Sequence, residues 1–144
     1  MRVNEVPILN ERLSVSPNYQ ATQLSTYLYL AFMFCHFVGH RGYVLSAVLG
    51  ILVLFFEREN FYFRFAGAQC VLLSCILFVY QLVSSILEIT LIWIPVMIIL
   101  SVLVNVILLV LELVNLYKLQ RRICWSMPLI GLYAQRLEKH IRPF

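Results

Sequence analysis

Residues 91–117 read LIWIPVMIILSVLVNVILLVLELVNLY, a long apolar run that holds a single charged side chain. An α-helix of about 20 apolar residues spans the roughly 30 Å hydrocarbon core of a bilayer, so this run predicts a transmembrane helix. Pro95 falls in its first turn, where the missing amide hydrogen costs little. The run ends a segment, Leu24–Tyr117, that is apolar almost throughout. The segment therefore predicts an integral membrane protein.

Composition leads to the same prediction independently. Hydrophobic residues make up 62% and charged residues 12% of the 144-residue chain, whereas about a quarter of the residues in soluble domains are charged. A soluble domain of this length could not bury so much apolar surface. The length allows one small helix bundle, and we expect one domain.

Two short apolar runs open the segment, Leu24–Val38 and Tyr43–Phe56. A single helix through both would be about 50 Å long and would hold His40 and Arg41 near its centre. A hairpin of two short helices that turns at Gly39–Gly42 places these polar groups at the far interface instead. The hairpin is the favoured alternative.

The third predicted span is Ala66–Leu87, followed by a tight turn at Glu88–Thr90. It is preceded by charges that alternate with aromatic residues from Glu57 to Phe65, which is typical of a membrane–water boundary. Small side chains on this span predict close helix packing; they are Ala66, Gly67, Ala68, Ser74 and Cys75.

The predicted fold is thus all-α, a polytopic membrane protein with four transmembrane helices between flanking segments. Residues 1–23 form a polar leader, interpreted as mobile, with Val6–Leu9 as an alternative interfacial anchor. Residues 24–117 form the transmembrane domain, and residues 118–144 a basic tail. Within the tail, Met127–His140 fits an amphipathic helix on the membrane surface; its proposed apolar face is Leu129, Ile130, Tyr133 and Leu137.

Lysine and arginine residues are distributed unevenly. With four spans, ten of the eleven lie on the side of both termini and only Arg41 lies opposite. The positive-inside rule then predicts a multi-pass protein with both termini in the cytoplasm or its organellar equivalent, in the inner or plasma membrane if the source is bacterial. The basic tail is expected to meet anionic lipid headgroups rather than nucleic acid.

Few residues suggest chemistry. His36 and His40 share a helix face, but two ligands make no metal site, and interfacial polar side chains are the favoured interpretation. The four cysteines show no paired spacing and are interpreted as small packing residues rather than disulfide or zinc ligands. No phosphate loop or catalytic triad occurs. We therefore predict no catalytic residues, no metal, no cofactor and no enzyme activity.

Three polar residues interrupt the last span, and they are candidates for a structural or functional role. Asn105 is expected to be buried in an interhelical hydrogen bond worth about 1 kcal/mol. Glu112, close to Asn115, either snorkels to the boundary and pairs with Lys118, Arg121 or Arg64, or marks a pathway or partner at bilayer depth.

The sequence Glu57-Arg-Glu-Asn-Phe-Tyr-Phe-Arg-Phe-Ala-Gly-Ala-Gln69 and the later Pro128-Leu-Ile-Gly131 resemble motifs of a known superfamily. It comprises small four-helix bacterial membrane proteins of unknown function and the channel subunit of the chloroplast inner-envelope protein translocon. Matching positions in the first motif are Phe63, Arg64, Phe65, Ala68 and Gln69. Ala66 and Gly67 depart from the histidine and alanine found there, and no transit peptide is expected.

The resemblance implies that Arg64 and Gln69 lie at the cytoplasmic entrance of a bundle, where they pair with Glu112 or Asn115 and join the third and fourth helices. The alternative is that Arg64 anchors to lipid phosphates.

Two functions are predicted from these observations. The first is a non-enzymatic subunit or scaffold of a membrane complex, related through the resemblance to protein translocation, with the lipid bilayer and other subunits or further copies of itself as partners. The alternative is an oligomeric channel or small-solute transporter. Polar residues facing one axis would distinguish the alternative, and the candidates are Asn105, Glu112 and His36.

Overall fold

A computed structural model of the chain describes residues 5–7, 20–38, 40–58, 60–88, 94–128 and 130–141. Helices account for most of them, so the all-α prediction is confirmed. The elements are β1 Glu5–Pro7, α1 Ala21–Phe37, α2 His40–Phe56, α3 Phe61–Glu88, α4 Ile94–Gln120, β2 Ile123–Trp125 and α5 Ile130–His140. The predicted turn at Glu88–Thr90 lies largely outside the described residues.

The first apolar stretch is two helices, as predicted. Helix α1 ends at Phe37, and α2 begins at His40 and folds back against it. Gly42 makes this return possible, because a Cβ atom there would lie 1.8 Å from the carbonyl oxygen of Cys35. No L side chain fits that space, so a glycine fixes the close approach of the two helices.

Helix α3 packs closely against α2 at two glycines. A Cβ atom on Gly50 would lie 2.7 Å from the carbonyl oxygen of Gly67, and one on Gly67 would lie 2.9 Å from that of Gly50. Ala66, Ala68 and Ser74 are buried on the same helix. The predicted face of small residues is therefore confirmed, although Cys75 is exposed.

Helix α3 begins five residues earlier than the predicted third span, inside the aromatic boundary segment. Its N-terminus is capped by Asn60, whose Oδ1 accepts a hydrogen bond from the backbone amide of Phe63 at 3.0 Å. The carboxylate of Glu57 accepts one from the amide of Asn60 at 3.1 Å. Both capping side chains are buried, so the boundary segment is part of the fold.

Two helices are long and apolar enough to cross a membrane, at residues 61–87 and 94–120. The four predicted spans are therefore supported only in part. Helices α1 and α2 have 17 residues each, or about 25 Å, which is short of the hydrocarbon thickness.

The position of the α1–α2 hairpin explains the difference. His36, in the last turn of α1, contacts Asn105 near the middle of α4. Eleven residues of α4 precede Asn105, so the hairpin tip lies roughly 17 Å short of the α4 N-terminus. The hairpin thus lies beside only part of α4.

Two short strands join the segment before α1 to the segment between α4 and α5. Strand β1 pairs antiparallel with β2, with Glu5 opposite Trp125 and Pro7 opposite Ile123. The interpretation of residues 1–23 as a mobile leader is therefore wrong for residues 5–7, and also for residues 21–23, which form the start of α1. Residues 1–4 and 8–19 lie outside the described residues. Three residues are too few for a strand periodicity to show in the sequence.

Helix α5 packs against α3. Its buried residues are Gly131, Ala134 and Glu138, whereas Tyr133 is 63% exposed. Ala134 shares a small core with Leu54, Phe65 and Ala68. The amphipathic helix itself is confirmed, and two residues of its proposed apolar face, Ile130 and Leu137, are partly buried against the protein core rather than fully exposed. Leu129 lies outside the described residues.

Candidate functional site

A groove between α1 and α4 contains all three polar residues that the sequence proposes for a shared axis. It is lined by His36, Asn105 and Glu112 together with Val106 and Leu109. These positions lie on one flank of α4 because residues three and four apart share a helix face. The groove has a volume of about 370 Å³ and opens to the outside of the molecule.

A hydrogen bond crosses this groove. The Nε2 atom of His36 lies 2.5 Å from Oδ1 of Asn105. The Asn105 amide also donates to the carbonyl oxygen of Ser101 at 2.7 Å, which orients it toward α1. The predicted interhelical hydrogen bond of Asn105 is confirmed, but its predicted burial is wrong, because Asn105 is exposed at the groove mouth.

Glu112 forms the inner wall of the groove. Its side chain is buried at 2% exposure, and its Oε1 atom accepts no hydrogen bond from any residue that the structure describes. The snorkelling interpretation is therefore wrong. Arg64, one of its expected partners, pairs with another residue, and the guanidinium of Arg121 lies over the ring of Tyr117.

Helix α4 is long and apolar enough to cross a membrane, and its length would then set the depth of the groove. The 27 residues of α4 extend for about 40 Å, so a 30 Å hydrocarbon core centred on the helix begins about 5 Å from each end. Asn105 would then lie within about 5 Å of the bilayer centre and Glu112 roughly 7 Å inside the boundary. An unpaired carboxylate at this depth is expensive and generally marks a functional site.

Gln69 and Asn115 belong to a second polar cluster, deeper in the protein. The hydroxyl of Tyr29 donates to Oε1 of Gln69 at 2.5 Å, and the Gln69 amide donates to the carbonyl oxygen of Trp125 at 3.3 Å. Asn115 is buried beside Tyr29. Since Gln69 bonds to α1 and β2, the expected pairing of Gln69 with Glu112 or Asn115 is wrong. The cluster joins α1, α3 and the segment after α4.

Arg64 binds the C-terminal end of α5. Its Nη1 lies 3.2 Å from Oε1 of Glu138, and its Nη2 donates to the backbone carbonyls of Glu138 at 3.0 Å and Ile141 at 2.5 Å. A cation is favourable there because the helix dipole concentrates negative charge at the last carbonyls. The expected pairing of Arg64 with Glu112 is wrong, and so is the alternative of a lipid anchor, because the side chain is nearly buried. Arg64 therefore joins α3 to α5.

Cys124 lies outside the two long apolar helices and offers a test of the packing of β2 against the bundle. Burial raises the pKa of its thiol to about 12. Because the thiolate is the nucleophile, alkylation of Cys124 by iodoacetamide is expected to accelerate about tenfold per pH unit between pH 7 and 10. Mass spectrometry of the modified peptide measures the rate. In the unfolded chain the rate should level off near pH 9, and the same levelling in the folded protein would contradict the packing.

The sequence alone did not identify His36 as the partner of Asn105, because the two lie on different helices with no fixed spacing. The two residues meet because the α1–α2 hairpin ends beside the middle of α4, a packing feature that has no sequence signal. Among the described residues, no three His, Cys, Asp or Glu side chains cluster as a metal site requires, and all four cysteines are free thiols.

Comparison of this chain with protein-family models, with curated proteins and with solved structures finds no match.

Proposed function

We propose that the chain is a polytopic membrane protein that binds and passes a small solute as an oligomer, the second of the two predicted functions. The observation that supports this proposal is the convergence of His36, Asn105 and Glu112 on one open groove. Polar side chains at bilayer depth are retained where they contact a pathway, a ligand or each other. A single chain of this size leaves the groove open on one side, so further copies would complete its wall.

The proposed topology has an even number of membrane crossings. Pairing of β1 with β2 requires residues 5–7 and 123–125 to lie on one side of the membrane. The segment between α3 and α4, residues 89–93, contains no lysine or arginine. The positive-inside rule then favours a cytoplasmic location for both termini, whether the α1–α2 hairpin crosses fully or re-enters from that side.

Flux through purified protein in liposomes tests the proposal. We expect monovalent-cation flux above that of protein-free liposomes, and an Asn105→Leu rate at least about tenfold lower, equivalent to raising a barrier by about 1.4 kcal/mol. Ser85→Leu is the matched control, because Ser85 is an exposed polar residue of α3 outside the groove. Flux equal to protein-free liposomes, or unaffected by Asn105→Leu, would contradict the proposal.

The scaffold or subunit function remains the second candidate, favoured by the outer flank of α4. Ile99, Leu103 and Val110 on that flank are exposed, which suits lipid or a helix of another subunit equally. Cross-linking of the native complex through a C-terminal tag distinguishes the two functions. Recovery of a defined hetero-complex would favour a subunit, and translocation machinery in it would support the superfamily resemblance. Recovery of a homo-oligomer would favour the solute pathway.

A further inference from the structure

We infer that the groove between α1 and α4 is a binding site for a small hydrophobic organic monocation, such as a quaternary ammonium compound with an aromatic or aliphatic substituent. The inference rests on the proposed function and names the class of solute. It depends on three properties of the groove: its single carboxylate, its apolar walls and its volume.

The carboxylate of Glu112 determines the charge of the ligand. Its Oε1 atom is enclosed and accepts no hydrogen bond within the described part of the chain, and none of the described lining residues is a lysine or arginine. A buried anion needs a cation or a set of donors to offset the loss of hydration. A ligand that carries a single positive charge supplies this partner.

The other lining residues determine the remaining chemistry of the ligand. Val106 and Leu109 offer aliphatic surface, and the walls of the groove are mainly apolar. A hydrated metal ion would leave this surface uncovered, whereas an organic substituent would cover it. The imidazole of His36 and the amide of Asn105 bond to each other at the mouth of the groove, so their hydrogen-bonding atoms are partly occupied and Glu112 is the group left to pair with a ligand.

The volume of the groove limits the size of the ligand. About 370 Å³ lies at the lower end of the range of roughly 300–1,000 Å³ that small-molecule sites occupy. The groove also opens to the outside of the molecule beside exposed apolar residues of α4, which gives a hydrophobic cation a route of entry. Benzyltrimethylammonium has the required charge and an apolar ring, and its permanent charge prevents binding as a neutral base.

Binding of tritiated benzyltrimethylammonium to the full chain in lipid nanodiscs tests the inference, with empty nanodiscs as the background. We expect saturable binding that Glu112→Gln weakens at least tenfold and that Glu112→Asp, which keeps the charge, weakens less. Neopentylbenzene, in which carbon replaces the charged nitrogen, should not compete. Equal binding by wild type and Glu112→Gln, or equal competition by the neutral compound, would overturn the inference, as would no saturable binding at all.

A second pair of variants protects the test against misfolding. Leu109→Trp fills the groove without altering the carboxylate and should abolish binding, whereas Val110→Trp places the same ring on the exposed outer flank and should not. Loss in both, or in neither, would place the binding elsewhere. Solute flux without cation binding would refute the inference alone, and cation binding without flux would refute the proposed transport alone.

Discussion

Replacement of Arg64 by leucine is expected to release α5 from the helix bundle. The substitution removes the cation that faces the carboxylate of Glu138 and the backbone carbonyls of Glu138 and Ile141 at the C-terminal end of α5. Breaking a buried ion pair by removing one partner costs about 3–5 kcal/mol, because the remaining charge stays buried without compensation. Hydrogen exchange measured by mass spectrometry should show residues 130–141 losing protection while α2 and α3 keep theirs.

Three variants show whether the salt bridge is the cause. Arg136→Leu makes the same substitution on the exposed face of α5 and should leave exchange unchanged. Arg64→Leu combined with Glu138→Leu should recover much of the protection, since an apolar pair often replaces a buried ion pair without loss. Arg64→Lys should recover less, because lysine lacks the planar group that bonds to several acceptors together. Full protection of α5 in Arg64→Leu would contradict the role of the Arg64–Glu138 salt bridge in holding α5 against α3.

Replacement of Gly67 by alanine is expected to destabilise the protein, although alanine is the better helix former by about 1 kcal/mol. The new methyl group would lie 2.9 Å from the carbonyl oxygen of Gly50, a backbone atom that moves only if α2 moves with it. Overpacking of this kind costs about 1–3 kcal/mol. The measurement is the midpoint of unfolding in a detergent titration, which should fall.

Matched substitutions separate packing from helix propensity. Gly50→Ala adds a methyl group from the other side of the same crossing and should lower the midpoint similarly. Cys75→Val enlarges an exposed side chain on α3 and should change it little. If Gly67→Ala raised the midpoint, propensity would outweigh the contact and the two helices would not be as close as described.

Local patterns predicted the helices well. The apolar run before Tyr117 indicated α4, and Gly39–Gly42 indicated the break between α1 and α2, since both signals lie within one stretch of chain. The face of small residues on α3 could also be predicted, because its residues lie within one stretch of chain. The position of the α1–α2 hairpin along α4 could not be predicted from the sequence. The short length of α1 and α2 was evident, but the place where their tip meets α4 depends on packing between helices.

Pairing of polar groups was the least predictable property. The superfamily resemblance predicts that Arg64 pairs with Glu112 or Asn115, yet its partner is Glu138, far along the chain. Charge and depth allow many pairings, and only the rotation of α5 selects one. Asn105 shows the opposite outcome, because a lone amide in an apolar helix predicts an interhelical bond whatever its partner.

The pairing of β1 with β2 sets an order of events during biosynthesis. Strand β1 leaves the ribosome first, but its partner emerges only after every apolar helix has been made. Helices α1 to α4 are therefore all synthesised before the strands can pair, and β1 has no strand partner until residues 123–125 have been made. Pairing of β1 with β2 is then among the last steps of folding, and a chain truncated before residue 123 cannot form this pair.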